Sequence, residues 1–199
     1  MNTFLQIWGY SLTYFETLGF IFTLLCVYFD TTENVWAWPL GIIGIVFYMI
    51  IYFNFRLYGD FSLQFIFIAF SVYGWYEWLF GGEKRSSLRV TNITQRQIII
   101  SIFACVFGYP ILGWFLKHYT NTDVPYFDAF PTIISILAQW LLARKVIENW
   151  YLWILADVVY VGLYLYKHLY LTTLLYAVFI PICIMGLVKW QRSRQLSHG

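Results

Sequence analysis

Seven long stretches of the chain carry almost only apolar side chains, and charged residues, proline, glycine or asparagine bound each of them. A helix needs about 20 consecutive apolar residues to cross the hydrocarbon core of a bilayer. The stretches lack the polar alternation of membrane β-strands, so helices fit them better. The pattern predicts seven transmembrane helices, at residues 14–30, 36–54, 61–80, 97–116, 126–143, 149–166 and 169–189.

The composition supports the same class. Of the 199 residues, 61% are hydrophobic, 23% are aromatic and only 11% are charged, and the mean hydropathy is +0.66. Soluble domains are much less apolar, and a net charge of +2 provides no basic surface for nucleic acid. We therefore expect an all-α integral membrane protein whose surroundings are a lipid bilayer and which binds no nucleic acid.

Motifs for catalysis or metal binding are absent from the sequence. There is no phosphate-binding GxxxxGK[ST], no HExxH and no GxSxG. Cys26, Cys105 and Cys183 lie far apart in separate apolar stretches, so no metal-binding or redox pair is indicated. We expect no catalytic residue, no cofactor and no metal, and hence a protein that is not an enzyme. Residues 1–13 contain no Lys or Arg, so we expect no cleaved signal peptide.

Positive charges are divided unequally between the two ends of the predicted helices. One end carries Arg56, Lys117 and Lys167. The other carries Lys84, Arg85, Arg89, Arg96, Arg144, Lys145, Lys189, Arg192 and Arg194. Because Lys and Arg accumulate on the cytoplasmic side of membrane proteins, the chain is predicted to have its N-terminus outside and its C-terminus in the cytoplasm.

The sequence repeats itself at a fixed offset of 112 residues. Without any gap, residues 14–78 align with 126–190, and 17 of these 65 positions are identical, where the biased composition alone would give about five. The repeat predicts five segments: an N-terminal segment (1–13), a three-helix unit (14–80), a basic loop with a linking helix (81–125), a second three-helix unit (126–190) and a cytoplasmic tail (191–199). Because a single helix links the units, both have the same orientation, which is a parallel repeat.

Positions at which the two halves differ are candidates for contact with an unsymmetrical ligand. The alignment places a polar or aromatic side chain opposite a different residue at Gln64, Gln139, Trp153 and Asp157. Polar groups at membrane depth are costly unless they face the interior of the bundle or a wet cavity. Helical spacing adds residues on the same faces. The predicted substrate-binding residues are Gln64, Ser71, Ser135, Gln139, Trp150, Trp153, Asp157 and Tyr160.

One stretch of the sequence resembles a known family. Residues 148–153, Glu-Asn-Trp-Tyr-Leu-Trp, followed by Asp157, resemble the ENWxxW signature of the PnuC family of bacterial vitamin transporters. Further similar stretches are Leu57-Tyr58, Leu63-Gln64, residues 73–78 (Tyr-Gly-Trp-Tyr-Glu-Trp), Phe127-Asp128 and Arg144-Lys145. The resemblance extends over residues 14–190.

The resemblance implies a SWEET-like fold of three plus one plus three helices, a homotrimer and a location in the bacterial inner membrane. It further implies that Trp150 and Trp153 hold the nicotinamide ring of nicotinamide riboside, and that Gln64, Gln139 and Asp157 bind its amide or ribose groups. Such uptake of vitamin B3 for NAD biosynthesis would proceed by facilitated diffusion, and a separate cytoplasmic kinase would phosphorylate the substrate.

Two alternatives remain open from the residues alone, namely a transporter of thiamine or another vitamin and a membrane-embedded enzyme or sensor. Ion coupling is predicted to be absent. Glu16 and Asp128 are repeat partners at helix starts, where a carboxylate interacts favourably with the helix dipole. That assignment leaves Asp157 as the single acid expected at mid-membrane depth.

Overall fold

The computed structural model describes residues 3–7, 10–54, 58–120, 122–166 and 170–198. An antiparallel pair of strands precedes a bundle of helices. The strands and α-helices, in chain order, are β1 (Thr3–Ile7), β2 (Tyr10–Thr13), α1 (Tyr14–Thr31), α2 (Ala37–Asn54), α3 (Tyr58–Phe80), α4 (Gln95–Phe103), α5 (Tyr109–Tyr119), α6 (Pro125–Ala143), α7 (Asn149–Tyr166) and α8 (Tyr170–His198).

The helices agree with the hydropathy pattern to within a few residues at most boundaries. The seventh predicted helix differs most, because α8 continues for nine residues beyond position 189 and includes Lys189, Arg192 and Arg194. Most of the tail predicted at 191–199 is therefore helical. The N-terminal strands were not predicted; Thr3 pairs with Thr13 and Ile7 with Tyr10. The predicted positive charges at Arg56 and Lys167 lie outside the described residues.

Five helical stretches of the described residues are long and apolar enough to cross a membrane. They are Tyr14–Thr31, Ala37–Asn54, Gln95–Tyr119, Pro125–Ala143 and Thr173–Leu196. Helices α3 and α7, with 23 and 18 residues, have comparable lengths. Most large side chains on the outside of the bundle are apolar, which suits a lipid environment. The protein is therefore an all-helical, multi-pass membrane protein apart from its N-terminal strands.

The span between Gln95 and Tyr119 consists of α4 and α5 joined by a π-helical turn at Ala104–Gly108. Proline has no N–H for the regular helical bond, and its ring clashes with the preceding turn, so Pro110 explains why the bonding pattern changes just before it. The start of α4 has a complete capping box, in which the side chains of Thr94 and Gln97 each bond the other's backbone N–H. Its residues are largely exposed, as expected of a lipid-facing helix.

The helices pack in two groups. In the first, α2 lies against α1 and α3, and in the second α7 lies against α6 and α8. The groups meet where α1 contacts α8 and where α3 contacts α6. Helix α5 packs on α6.

Four tryptophans form the centre of the core at one end of the bundle. Trp38 packs edge-on against Trp78 at a centroid distance of 5.2 Å, and Trp150 packs edge-on against Trp190 at 5.4 Å. Trp78 and Trp190 join the two pairs at 5.8 Å. All four side chains are buried. Edge-to-face packing of this kind adds about 0.5–1.5 kcal/mol per pair beyond the burial of apolar area.

Each outer tryptophan lies on a glycine of the neighbouring helix. A Cβ at Gly186 would approach the Trp150 indole to 2.6 Å, and a Cβ at Gly74 would lie under 3.0 Å from the Trp38 indole. Contacts that short do not occur between packed atoms. Glycine is therefore required at both positions so that the indole can lie directly on the helix backbone.

The two inner tryptophans donate hydrogen bonds across the boundary between the groups. Trp78 Nε1 donates to the carbonyl oxygen of Leu142 at 3.1 Å, and Trp190 Nε1 donates to that of Asp30 at 2.9 Å. Donors and acceptors are both separated by 112 residues, so the two bonds are equivalent under the sequence repeat. Each indole is a second donor to a carbonyl at a helix end, which also accepts a backbone N–H from the following turn, from Lys145 at Leu142 and from Glu33 at Asp30.

The same offset relates the two members of a partly buried ion pair. Lys145 Nζ lies 3.1 Å from Glu33 Oε2 and 4.6 Å from the centre of the Trp78 ring. Both residues have positive φ angles, 55° for Glu33 and 49° for Lys145, in the turns after α1 and α6.

Beside this ion pair, Arg144 donates to the Tyr73 hydroxyl at 2.7 Å, and this bond raises the pKa of the guanidinium above its usual value. Arg144 therefore stays charged at this end of the bundle.

We expect Gly186→Ala to destabilise the folded protein by about 1–3 kcal/mol, because the added methyl group displaces the Trp150 indole. Gly74→Ala should destabilise the protein to a similar extent, since the Trp38 indole lies on Gly74. Gly162→Ala is the matched control: a Cβ there meets nothing within 4 Å, and alanine favours a helix over glycine by up to about 1 kcal/mol. Thermal unfolding of the detergent-purified variants measures the difference. Equal midpoints for Gly186→Ala and Gly162→Ala would contradict this packing.

Candidate functional site

The second group of helices carries most of the predicted site residues. Helix α7 presents Trp150, Asp157 and Tyr160 along one face, at intervals of seven and three residues. Because α7 packs against both α6 and α8, this face is enclosed by two neighbours. The three residues therefore make three successive layers of contacts along α7.

The first layer belongs to the tryptophan cluster. Trp150 is 1% exposed, and its ring lies between Gly186 and Trp190. Trp153 is half-buried and packs against the same cluster from α7. The indole N–H of Trp150 has no hydrogen-bond partner among the described residues, and neither has that of Trp38. Trp150 thus has a structural contact on its ring and an unused donor at its edge.

The second layer places an acid inside the bundle. Asp157 is 3% exposed, and one of its oxygens accepts a hydrogen bond from the Cys183 thiol on α8 at 3.5 Å. Burying a carboxylate without a cation is expensive. Within the part of the chain that the structure describes, Asp157 makes no ion pair with Lys or Arg.

The third layer is a stack of tyrosines. Tyr160 lies 4.6 Å from Tyr176 on α8 and 5.8 Å from Tyr164, measured between ring centres. Its hydroxyl faces Thr132 and Ser135 on α6. Ser135 is buried, and its Oγ makes no hydrogen bond of ordinary geometry among the described residues.

The remaining predicted residues lie on α3 and α6. Ser71 is buried and Gln64 half-buried on α3, while Gln139 is half-buried on α6. These two helices are in contact with each other. Within the described chain, the amides of Gln64 and Gln139 form no hydrogen bond, so both are available to a ligand. The structure brings Ser135, Asp157 and Tyr160 together around α7, with Trp150 and Trp153 on the same helix. No hydrogen bond among the described residues joins Gln64, Ser71 or Gln139 to this group.

One buried acid was missed by the sequence analysis. Asp30, in the last turn of α1, is 5% exposed, and its Oδ1 has no hydrogen-bond partner among the described residues. Its Oδ2 accepts from the Cys26 thiol at 3.6 Å. Its position at the end of an apolar stretch made it look like a boundary residue. The repeat alignment could have identified it, because Asp30 is aligned with the apolar Leu142 and the two halves therefore differ at this position.

The carboxylates predicted at helix starts are found there. Glu16 lies in the first turn of α1 and Asp128 in the first turn of α6. Asp128 accepts a hydrogen bond from the Thr122 hydroxyl, just before the helix. Both acids therefore lie at the opposite end of the bundle from Asp30 and the tryptophan cluster.

Two cavities lie away from the predicted residues. One, of about 360 Å³, is polar and is lined by Glu33, Ser87, Leu88, Arg89, Val90, Lys145 and Ser193. The other, of about 340 Å³, is apolar and lies between α5 and α6, lined by Cys105, Tyr109, Phe130, Ile133 and Ile134. Neither contains any of the eight predicted residues. Across the described residues, no group of His, Cys, Asp and Glu could hold a metal ion.

Comparison with known proteins adds evidence of a different kind. A profile of the nicotinamide mononucleotide transporter family matches residues 13–192. The nicotinamide riboside transporter PnuC of Escherichia coli (strain K12) is 26% identical, and the match covers 96% of this chain and 92% of that protein. The riboflavin/roseoflavin transporter RibM of Streptomyces davaonensis is also 26% identical, with 92% and 87% covered.

A solved structure shares the fold. The crystal structure of the vitamin B3 transporter PnuC superimposes with a TM-score of 0.71, covering 90% of this chain and 81% of that one at 21% identity. The family match extends over the whole helical bundle up to residue 192, so it includes both groups of helices and the buried face of α7. The chain belongs to the nicotinamide mononucleotide transporter family, and it is a multi-pass membrane transporter rather than an enzyme.

Proposed function

We propose that this protein transports nicotinamide riboside into the cell. The observation that carries the proposal is the buried face of α7, where Trp150, Asp157 and Tyr160 combine aromatic planes with a carboxylate inside a membrane bundle. The substrate has a flat, positively charged pyridinium ring, a carboxamide and a ribose. Aromatic rings and a carboxylate suit the ring, because stacking and cation–π attraction favour a desolvated cation.

The unused hydrogen-bonding groups suit the rest of the substrate. Among the described residues, Trp150 Nε1 has no hydrogen-bond partner, Ser135 Oγ has none of ordinary geometry, and the amides of Gln64 and Gln139 form no hydrogen bond. A buried polar atom without a partner costs about 1–3 kcal/mol, so such atoms indicate where water or a ligand binds. In this proposal Gln64, Gln139 and Asp157 bind the amide and ribose groups, Trp150 and Trp153 hold the ring, and Ser71, Ser135 and Tyr160 complete the site.

We further propose an arrangement of three plus one plus three helices in a parallel, SWEET-like repeat. The first unit is α1 to α3, the span of α4 and α5 is the linker, and α6 to α8 form the second unit. Equivalent contacts support it: Trp38 on Gly74 corresponds to Trp150 on Gly186, and the two indole-to-carbonyl bonds correspond as well. In such transporters the substrate site lies where the repeats meet.

The cellular setting is also part of the proposal. The protein lies in the bacterial inner membrane as a homotrimer, with its N-terminus outside and its C-terminus in the cytoplasm. Nine of the twelve Lys and Arg residues lie at the end of the bundle that this orientation places in the cytoplasm, and this excess of positive charge supports it. Transport is facilitated diffusion, and a cytoplasmic kinase maintains the inward gradient by phosphorylating the substrate.

A second candidate function is transport of a different vitamin. RibM, a riboflavin/roseoflavin transporter by its name, has the same 26% identity to this chain as the E. coli PnuC protein, over a shorter alignment. Thiamine is a further candidate of the same kind. Uptake into liposomes of nicotinamide riboside, thiamine and riboflavin, supplied separately, distinguishes them. Accumulation of thiamine or riboflavin alone would contradict the leading proposal.

We expect Trp153→Ala to weaken binding of nicotinamide riboside by about tenfold or more at unchanged expression, because one stacked ring is worth about 0.5–2 kcal/mol for a desolvated cation. Gln139→Leu, which keeps the size but loses the amide, should cost about 1–3 kcal/mol of binding. Titration calorimetry on the purified variants measures both. Trp38→Ala is the contrasting variant, since its ring is buried on Gly74, and it should mainly lower the yield of folded protein.

Wild-type affinity in both Trp153→Ala and Gln139→Leu would place the substrate site elsewhere in the bundle.

Uptake should not depend on a proton or sodium gradient. The described chain contains no group of three or more His, Cys, Asp and Glu side chains that could hold a metal ion, and the acids at the helix starts are placed to interact with helix dipoles. The measurement is uptake into liposomes without kinase, with and without an uncoupler and with and without sodium. Strong abolition by the uncoupler would overturn facilitated diffusion.

A further inference from the structure

The buried acid Asp30 has no role in the site described so far. It lies on α1, in the first group of helices, whereas Asp157 lies on α7 in the second. Both are nearly fully buried, and each has a thiol as the donor to one oxygen, from Cys26 and from Cys183. The two acids are not repeat partners, because Asp30 aligns with Leu142 and Asp157 with Ile45. Each is therefore a separate departure from the symmetry of the two halves.

One residue, Cys183, interacts with both acids. Cys183 is on α8, which packs against α7 on one side and against α1 on the other. Its thiol donates to Asp157 and lies within electrostatic range of Asp30. The Asp30 carbonyl accepts from Trp190, whose ring packs on Trp150. Asp30 is thereby connected through one residue to Asp157 and through another to the proposed ring-binding tryptophan.

No cation of the described chain neutralises Asp30. Lys189 Nζ donates to the hydroxyl of the adjacent Thr31 at 3.4 Å and lies over the Tyr28 ring, so it interacts with the neighbours of Asp30 and forms no ion pair with Asp30 itself. Lys145 is paired with Glu33. One carboxylate oxygen, Oδ1, has no partner at all among the described residues, and the side chain is in the last turn of α1, where the helix dipole disfavours negative charge. A thiol is a weak donor and compensates little of this cost.

We propose that Asp30 is a specificity-determining residue that, together with Asp157, selects the positively charged form of the substrate. The proposal rests on the proposed function, since the cation is the pyridinium ring of nicotinamide riboside. A desolvated cation close to the two buried carboxylates offsets the cost of burying either of them alone.

The chemistry of the substrate provides a matched pair of probes. Reduction of the ring gives dihydronicotinamide riboside, which keeps the carboxamide and the ribose but has no positive charge. Hydrogen bonding should be similar for the two compounds. Attraction to carboxylates and cation–π attraction to the tryptophans should both favour the cationic form, so substitution of the acids is needed to separate the two contributions. We expect the wild-type protein to bind the cationic form at least about tenfold more tightly, as measured by titration calorimetry.

Asp30→Asn should reduce the affinity for nicotinamide riboside by about tenfold and leave the affinity for the dihydro form within about twofold. The substitution keeps the size of the side chain, and thermal unfolding checks that the variant is folded. Glu16→Gln is the matched control, because it removes a carboxylate from the same helix at the opposite end of the bundle, and it should change neither affinity.

The outcomes separate the two proposals. If the wild-type protein binds neither nucleoside, the proposed function fails. If it binds both forms equally, or if Asp30→Asn weakens both forms alike or neither, Asp30 does not select charge and the inference fails. Should Asp30→Asn not fold, the wild-type preference and the same comparison in Asp157→Asn still test the pair: an unchanged preference in Asp157→Asn would overturn it. Release of a sodium ion or proton from Asp30 when the neutral dihydro form binds would also contradict the inference, because Asp30 would then respond to a substrate that carries no charge.

Discussion

Two hydrogen bonds hold the halves of this bundle in register, from the indole of Trp78 to the Leu142 carbonyl and from that of Trp190 to the Asp30 carbonyl. Each of these carbonyls, at a helix end, also accepts a backbone N–H from the turn that follows, that of Lys145 at Leu142 and that of Glu33 at Asp30, so the indole is a second donor that comes from the other half. Tryptophan supplies the donor and a large ring at once. The ring then needs space, and the glycines at 74 and 186 provide it for the outer pair of indoles.

This construction fixes where polar chemistry can lie. The tryptophan cluster occupies one end of the bundle, and unused hydrogen-bonding groups lie at its edge, on Trp38 and Trp150, and beside Tyr160, on Ser135 of α6. The layers of contacts along α7 change from aromatic to acidic to tyrosine-rich within three turns. A membrane interior tolerates such a row only if neighbouring helices cover it, and α6 and α8 do so.

Apolar periodicity predicted the helices well because the bilayer sets their length, and α7 begins and ends at the residues predicted. The exposed apolar surface of the α4–α5 span likewise follows from its hydropathy. What the sequence did not reveal depends on tertiary contacts. Asp30 looked like a boundary residue because its burial depends on α8, which is distant in the sequence. Its bonded partner on that helix, Trp190, lies 160 residues further along the chain. The π turn and the continuation of α8 past Lys189 are local helical features that hydropathy does not encode.

The ion pair between Glu33 and Lys145 has a consequence for how such a chain could arise. The two residues occupy equivalent positions of the repeat, in turns with the same left-handed backbone, and they face each other across the boundary. Two identical three-helix units assembled side by side would place the same residue at both positions, and two like charges at that distance repel. A complementary pair can form only when the two copies differ. Joining both units in one polypeptide allows each position to change separately, so this contact could become attractive only after the halves had ceased to be interchangeable.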